Sequence, residues 1–170
     1  MSAAPEFSRL VQLNRVGWEP YRQETVASEA ERDGLARRFG LLSLDRLTAA
    51  IELVREPAGT ILLTASFEAA FAQECIVTLD PVVGSVAERF QLRYGRPEDE
   101  EDAPSGDDDP ALDPLIGEAI DIGEAVAQEF SLALPPFPRA ADAVIEIDDP
   151  ETPEEGPFSA LDKFRRERSQ

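Results

Sequence analysis

The clearest alternation of apolar and polar positions lies in residues 60–74. Every second residue from Ile61 to Phe71 is apolar, while threonine, serine or glutamate fills most positions between them. A period of two predicts a strand with one buried face. A second alternating run at residues 47–55 precedes it, and residues 56–59 between the runs are turn formers. The two runs therefore predict a β-hairpin.

Weaker alternation predicts the other strands. Strands are expected at residues 7–16, 21–27, 75–79 and 86–94, and a short edge strand at residues 143–147. In the 86–94 run, the alternation directs Phe90, Leu92 and Tyr94 toward the core and Arg89, Gln91 and Arg93 toward solvent.

The first of two predicted helices has signals at both ends. Ser28 and Glu31 have capping-box spacing, in which each side chain binds the backbone N–H of the other residue. Gly40 is suited to the left-handed residue that closes a helix. These signals predict a helix at residues 29–39.

The second predicted helix follows Asp121, which is a suitable N-cap with Glu124 three residues later. Apolar residues then recur at helical spacing. The helix must stop before Leu134-Pro135-Pro136, because proline lacks the backbone N–H and clashes with the preceding turn.

Together these elements predict an α+β protein, with a twisted antiparallel sheet or partial barrel, two packed helices and a short C-terminal amphipathic helix. We expect one domain at residues 1–147, interrupted by a disordered acidic loop at 97–111. An acidic linker at 148–156 and a basic amphipathic tail at 157–170 should follow.

The net charge of −19 is concentrated in two segments. Glu98–Asp113 contain nine acids and Asp142–Glu155 contain seven, and neither segment has a base. The remaining nineteen acids face sixteen basic residues, so the rest of the chain is close to neutral. The acidic segments either keep the protein soluble or attract a basic partner, and both uses are typical of an interaction protein.

The chain has no histidine and one cysteine. Without histidine, a Ser-His-Asp or Cys-His catalytic device cannot be built. A single cysteine excludes an internal disulfide and fits the reducing cytoplasm, and no segment has the pattern of a leader or a membrane span. Cys75 has no histidine or lysine nearby in sequence, so we expect a buried, inert thiol. No cofactor or metal site is expected.

Three short motifs occur in order along the chain. They are Cys75-Ile-Val-Thr-Leu-Asp-Pro81, then Ile120-Asp-Ile-Gly-Glu124 leading to Leu134-Pro-Pro-Phe-Pro138, and finally Pro157-Phe-Ser-Ala-Leu-Asp-Lys-Phe-Arg165. In this order and spacing the chain resembles the YceD family, bacterial and plastid proteins linked to accumulation of large-subunit ribosomal RNA. Its acidic, cysteine-poor composition is similar to alphaproteobacterial members that lack a cysteine cluster.

The chain departs from the family pattern at the cysteines. Thr78 stands where many relatives have the second residue of Cys-x-x-Cys, and no cysteines follow Pro138. A metal or redox role is therefore not implied. Gly156, Phe164 and Arg165 also replace the usual residues of the family's C-terminal motif. The resemblance implies a cytoplasmic, non-enzymatic role in 23S rRNA accumulation and large-subunit assembly, with a large-subunit ribosomal protein or assembly factor as partner.

The tail contains the candidate partner-binding residues. Phe158, Leu161 and Phe164 lie at helical spacing, and Arg165 and Arg166 follow. The tail is too short for a stable isolated helix, so it either docks on a partner or folds back on the domain.

Two alternative functions use other residues. Arg89 and Arg93, joined by helix arginines Arg37 and Arg38, would form a basic face for direct binding of 23S rRNA.

A metal-dependent hydrolase or nuclease would instead need converging carboxylates. Its candidates are Glu52 and Glu68, expected to face each other across the hairpin, with Glu74, Asp80 and Glu88.

Overall fold

A computed structural model describes residues 5–96 and 110–144, and these ranges contain seven strands and two α-helices. The mixture of a sheet with separate helices confirms the α+β class. In chain order the elements are β1 (Leu10–Gln12), a 3-10 helix (Leu13–Arg15), β2 (Tyr21–Val26), α1 (Glu29–Phe39), β3 (Ser43–Arg55), β4 (Ile61–Glu74), β5 (Pro81–Gly95), β6 (Leu112–Pro114), β7 (Ala119–Asp121) and α2 (Ile122–Ala133).

The main sheet has the strand order β2-β3-β4-β5-β6. The predicted hairpin is confirmed, because β3 and β4 pair antiparallel from Ser43↔Ala72 to Arg55↔Ile61. β6 runs parallel to β5, so the sheet is mixed rather than wholly antiparallel. In the described ranges β2 and β6 are its edges, and it is an open sheet rather than a barrel. β1 and β7 form a separate two-stranded sheet.

The hydrophobic core lies on one face of the main sheet, called here the inner face. Alternate residues of β3 and β4, from Leu47 to Phe71, are buried there with β1, β7 and the two helices. The Phe130 ring of α2 contacts the rings of Phe67, Phe71 and α1 Phe39 at centroid distances of 5.8–6.2 Å. Both helices therefore pack on the inner face. No helix of the described residues is long and apolar enough to cross a membrane.

The helix ends are as predicted. The Ser28 hydroxyl accepts a bond from the Glu31 backbone N–H, and the Glu31 carboxylate accepts one from the Ser28 N–H at 2.8 Å. Arg9 donates to the same carboxylate at 2.6 Å, and this bond, with the capping bonds, lowers the pKa of Glu31 to about 2. Gly40 ends α1 in the left-handed conformation, and Asp121 caps α2 by accepting from the Gly123 and Glu124 N–H groups.

Two strand predictions were wrong in part, and the one at residues 75–79 was wrong entirely. Within residues 7–16 only β1 is a strand, since a 3-10 helix follows it directly. Residues 75–79 form a turn in which Leu79 has a positive φ and its N–H donates to the Cys75 carbonyl. β5 begins at Pro81, five residues earlier than expected.

The remaining structural expectations fall largely on residues that the structure does not describe. Ala143 and Val144 are described and are not in a strand, while 145–147 of that predicted edge strand lie outside the described ranges. The acidic loop lies outside them at 97–109, and so do the acidic linker and the C-terminal tail, including Phe158, Leu161, Phe164, Arg165 and Arg166.

Candidate interaction surface

The outer face of the main sheet has no helix on it within the described residues. We call the outward residues of β2 to β5 the open face. Its central row follows from the strand register, in which Glu24 pairs with Ala50, Ala50 with Ser66, and Ser66 with Arg89. This row crosses four strands, so its ends lie about 14 Å apart.

A shallow trough runs over this row. Its volume is about 590 Å³, and a second depression of about 440 Å³ adjoins it. The floor is made by small side chains, because Ala50 and Ser66 occupy the middle of the row and Ala87 lies beside it. Small residues at exposed strand positions let another chain approach the sheet closely. The trough is thus shaped for contact with a macromolecule rather than for enclosing a small ligand.

The charges around the trough are mixed. Among the residues that line it, four are acids and two are arginines. Arg22 binds Glu52 at 2.7 Å, whereas Arg89 makes no ion pair with any described residue. Glu88 pairs with Phe67 and so has inward parity, while the outward Arg46 lies 3.3 Å from Glu68. The acids and arginines of the open face therefore nearly balance, and the face is not the basic surface that RNA binding requires to displace counterions. The acids are Glu24, Glu52, Glu68 and Glu88, and the arginines are Arg22 and Arg89.

The two arginines predicted to contact RNA have opposite environments. Arg89 is exposed, as predicted. The expected exposure of Arg93 is wrong, because this residue is only 3% exposed. Its guanidinium donates to the Glu56 carboxylate at 2.8 Å and to the Pro110 carbonyl at 3.2 Å. The β3–β4 turn and the chain leading to β6 therefore cover Arg93 on the outer face.

The helix arginines do not join Arg89 on one surface. Arg38 donates to Glu124 of α2 at 2.7 Å and to Glu6 at 3.2 Å, and the bond to the Glu124 carboxylate raises the Arg38 pKa. Arg37 is exposed on α1. Because α1 packs on the inner face, both arginines lie on the opposite side of the sheet from Arg89. The described structure does not form the predicted arginine face.

The carboxylates proposed for metal-dependent chemistry do not converge. Glu52 pairs with Thr64 and Glu68 with Thr48, so the expectation that the two acids face each other was wrong. They lie four residues apart along the strands, about 13 Å. Each also contacts an arginine, since Glu68 lies 3.3 Å from Arg46. Among the described residues, no group of three potential ligands could hold a metal ion.

Cys75 is buried at the turn between β4 and β5. Its sulfur accepts bonds from the Thr78 N–H at 3.5 Å and the Ala140 N–H at 3.4 Å. Hydrogen bonding from the Thr78 side chain, followed by these backbone bonds, lowers the pKa of Cys75 to about 7. The expectation of a buried thiol is confirmed. The sulfur joins two chain segments, the turn and the segment that follows α2.

The family comparison decides where the chain belongs. Residues 63–164 match the family model described as large ribosomal RNA subunit accumulation protein YceD. This chain is a member of the YceD family. No curated protein and no solved structure matches it.

The matched range includes part of the open face. It contains almost all of β4, the whole of β5 and α2, and it extends to Phe164 in the tail. Ser66, Ala87 and Arg89 on the open face therefore lie inside the YceD match, whereas β2 and β3 lie before it. The Cys75 turn and the segment that contacts it are also inside.

Arg89 was predicted from the sequence, whereas the trough was not. The outward positions of the central strands carry the small residues Ala50, Ser66, Ala70 and Ala87. The inward positions of the same strands also include Ala49, Ala65 and Ala69. Residue size along the strands therefore does not distinguish the open face from the covered one.

Proposed function

We propose that this chain is a non-enzymatic factor that supports 23S rRNA accumulation and large ribosomal subunit assembly through protein contacts. It would act in the cytoplasm, with a large-subunit ribosomal protein or an assembly factor as its partner. The family description supplies the process. The open face supports the proposed mode of action, which is contact with a protein partner.

One observation carries the proposal: a four-strand face without a covering helix in the described ranges, with a trough floored by Ala50 and Ser66. The inner faces of the same strands are largely covered by the core. A protein partner can satisfy a mixture of acids and arginines by complementary charges, which would give specificity and faster association. RNA could use only the arginines.

The tail provides a second contact in this proposal. Phe158, Leu161 and Phe164 would enter an apolar groove of the partner, with Arg165 and Arg166 beside it. Linking two weak contacts on one chain raises the overall affinity, because the second contact forms within the complex already made. The acidic segments would attract a basic ribosomal protein over longer distances.

Ser66→Arg separates protein binding from RNA binding. A long side chain at the trough floor blocks a partner that approaches the sheet, so recovery of large-subunit proteins with the affinity-purified chain should fall severalfold. If the trough instead bound RNA, the added positive charge would strengthen that binding. Isolated 23S rRNA, titrated with each variant at two salt concentrations, provides the second measurement.

Arg37→Glu is the matched control for Arg89→Glu, since both arginines are exposed and lie on opposite sides of the sheet. The proposal expects loss of partner recovery and of 23S rRNA accumulation with Arg89→Glu and Ser66→Arg, but not with Arg37→Glu. Normal rRNA accumulation in cells carrying Ser66→Arg would contradict it. So would rRNA binding that Ser66→Arg strengthens and Arg89→Glu abolishes.

A further inference from the structure

The outer edge of β5 is unpaired over most of its length in the described structure. On one side, β5 pairs with β4 from Glu74↔Pro81 to Ile61↔Tyr94. On the other side, β6 pairs only with residues 93–95. No other described strand lies beside residues 82–92. This edge thus presents a row of backbone N–H and C=O groups at the spacing of a strand.

The first half of the edge lacks the features by which proteins usually prevent strand addition, although Pro81 precedes it and Glu88 and Arg89 follow it. Residues 82–87 contain no charge and no proline, and the side chain of Val83 is 79% exposed. Edge strands of soluble proteins are commonly protected by charged residues, proline, bulges or a covering segment. Because the edge offers backbone groups in an extended array, its chemistry favours an extended polypeptide over a helix or RNA.

We propose that residues 145–148 of this chain bind the edge as an additional strand parallel to β5. The segment that follows α2 passes the turn just before β5. The Pro138 carbonyl accepts from the Ile76 N–H at 3.0 Å, and the Ala140 N–H donates to the Cys75 sulfur. Both contacts hold the segment after α2 against the turn that leads into β5.

The length of chain beyond the turn at residues 140–143 is sufficient. In that turn the Ala143 N–H donates to the Ala140 carbonyl at 3.1 Å, so the extended reach begins at Ala143. Five extended residues from there, ending at Asp148, reach roughly 17 Å, and neighbouring strands lie about 4.8 Å apart. The segment starts near Pro81, at the beginning of β5, and therefore runs along the edge in the direction of β5. β6 is also parallel to β5 on this edge, so the two short strands would cover opposite ends of it.

The sequence of the segment fits the two faces of the sheet. In Ile145-Glu146-Ile147-Asp148, apolar and acidic residues alternate. When the isoleucines lie on the inner face with Val86, the two carboxylates lie on the outer face with Arg89. Arg89 makes no ion pair with any described residue, and an acidic neighbour on the same face would supply one. The charge pattern selects this segment as the occupant.

The added strand would also set where the acidic linker and the basic tail begin. A strand that ends at Asp148, near the Arg89 end of the trough, would direct the acidic linker and the basic tail to the open face. The two proposed partner contacts would then lie side by side on one surface. This arrangement does not depend on which partner binds.

Amide hydrogen exchange on the full chain tests the inference. Ile145→Asp/Ile147→Asp should remove the added strand, and we expect exchange of the edge-facing amides in residues 82–88 to become roughly tenfold faster or more. Amides of β5 that face β4 should be unchanged. The matched control is Phe158→Asp/Leu161→Asp, the same chemical change in the tail, which should leave the edge amides protected.

Every other outcome overturns the inference. Edge amides that already exchange rapidly in the unaltered chain would show an empty edge. Protection lost in the tail variant but kept in the isoleucine variant would identify the tail as the occupant. Protection that disappears on dilution in both variants and in the unaltered chain would identify a second copy.

Discussion

The two ends of β5 occupy different surroundings although they belong to one strand. At the C-terminal end, Arg93 is buried beneath the β3–β4 turn and the chain leading to β6, and it binds Glu56. Four residues earlier on the same face, Arg89 is exposed and makes no ion pair with a described residue. The difference comes from segments distant in sequence, which cover one end and, among the described residues, leave the other uncovered.

Strand alternation determines the direction of an outward side chain but not whether that side chain is covered. Alternation correctly directs both arginines away from the core. It does not show which outward residue a turn or a short strand will cover. One outward arginine is therefore buried in an ion pair, while the other is exposed in the described structure.

The largest expected effect is at the covered end. Arg93→Ala removes the charged partner of Glu56 in a site with little access to water, and should lower the free energy of unfolding by about 3 kcal/mol. Arg89→Ala should change it by less than about 0.5 kcal/mol. Urea denaturation of both variants makes the measurement. Equal losses would show that the two ends are not in different environments.

Gly84 tests whether the uncovered end is still constrained by the core. A Cβ at this position would lie 2.8 Å from the Phe71 ring, which packs against Phe130. Gly84→Ala should therefore destabilise the protein by about 1–3 kcal/mol. Ser85→Ala, one residue later and directed outward, is the control and should be close to neutral. A neutral Gly84→Ala would mean that the Phe71 ring can move freely.

Tyr94, at the covered end of β5, should make the free energy of unfolding depend on pH. Burial, and secondarily the Asp113 carboxylate of β6, raises the pKa of Tyr94 to about 12. Because the folded pKa is above the usual value, the stabilising contribution is complete below pH 10 and is lost as the pH rises toward 12. At pH 11 the loss should be about 1 kcal/mol. Thermal melts of the unaltered chain and of Tyr94→Phe measure it, and equal alkaline losses in both would refute the assignment.

The smallest expected effect is at the trough floor. Ser66→Arg should change the free energy of unfolding by less than about 0.5 kcal/mol, because the side chain is exposed. Ala65→Arg, one position away on the buried inner face, should prevent folding. Comparison of the two melting curves shows whether the open face is free in the isolated chain. A strongly destabilising Ser66→Arg would indicate that something already covers the trough.

Local signals were sufficient to predict α1, the cap of α2 and the β3–β4 hairpin. In each case the deciding residues are close in sequence, as Ser28 and Glu31 are. The Cys75 turn was wrongly predicted to be a strand although local bonds close it, from the Cys75 N–H to the Asp80 carbonyl and from the Leu79 N–H to the Cys75 carbonyl. The burial of Arg93 was missed for a different reason, because Glu56 and Pro110 are remote in sequence. Covering segments cannot be inferred from alternation alone.

Site-specific photo-crosslinking in growing cells tests the central claim most directly. A photoreactive side chain in place of Ser66 lies on the trough floor, while one in place of Arg37 lies on the opposite side of the sheet. The account predicts that the Ser66 position crosslinks to a large-subunit ribosomal protein or assembly factor, and that the Arg37 position does not. Crosslinks from Ser66 only to 23S rRNA, or the same proteins from both positions, would contradict it.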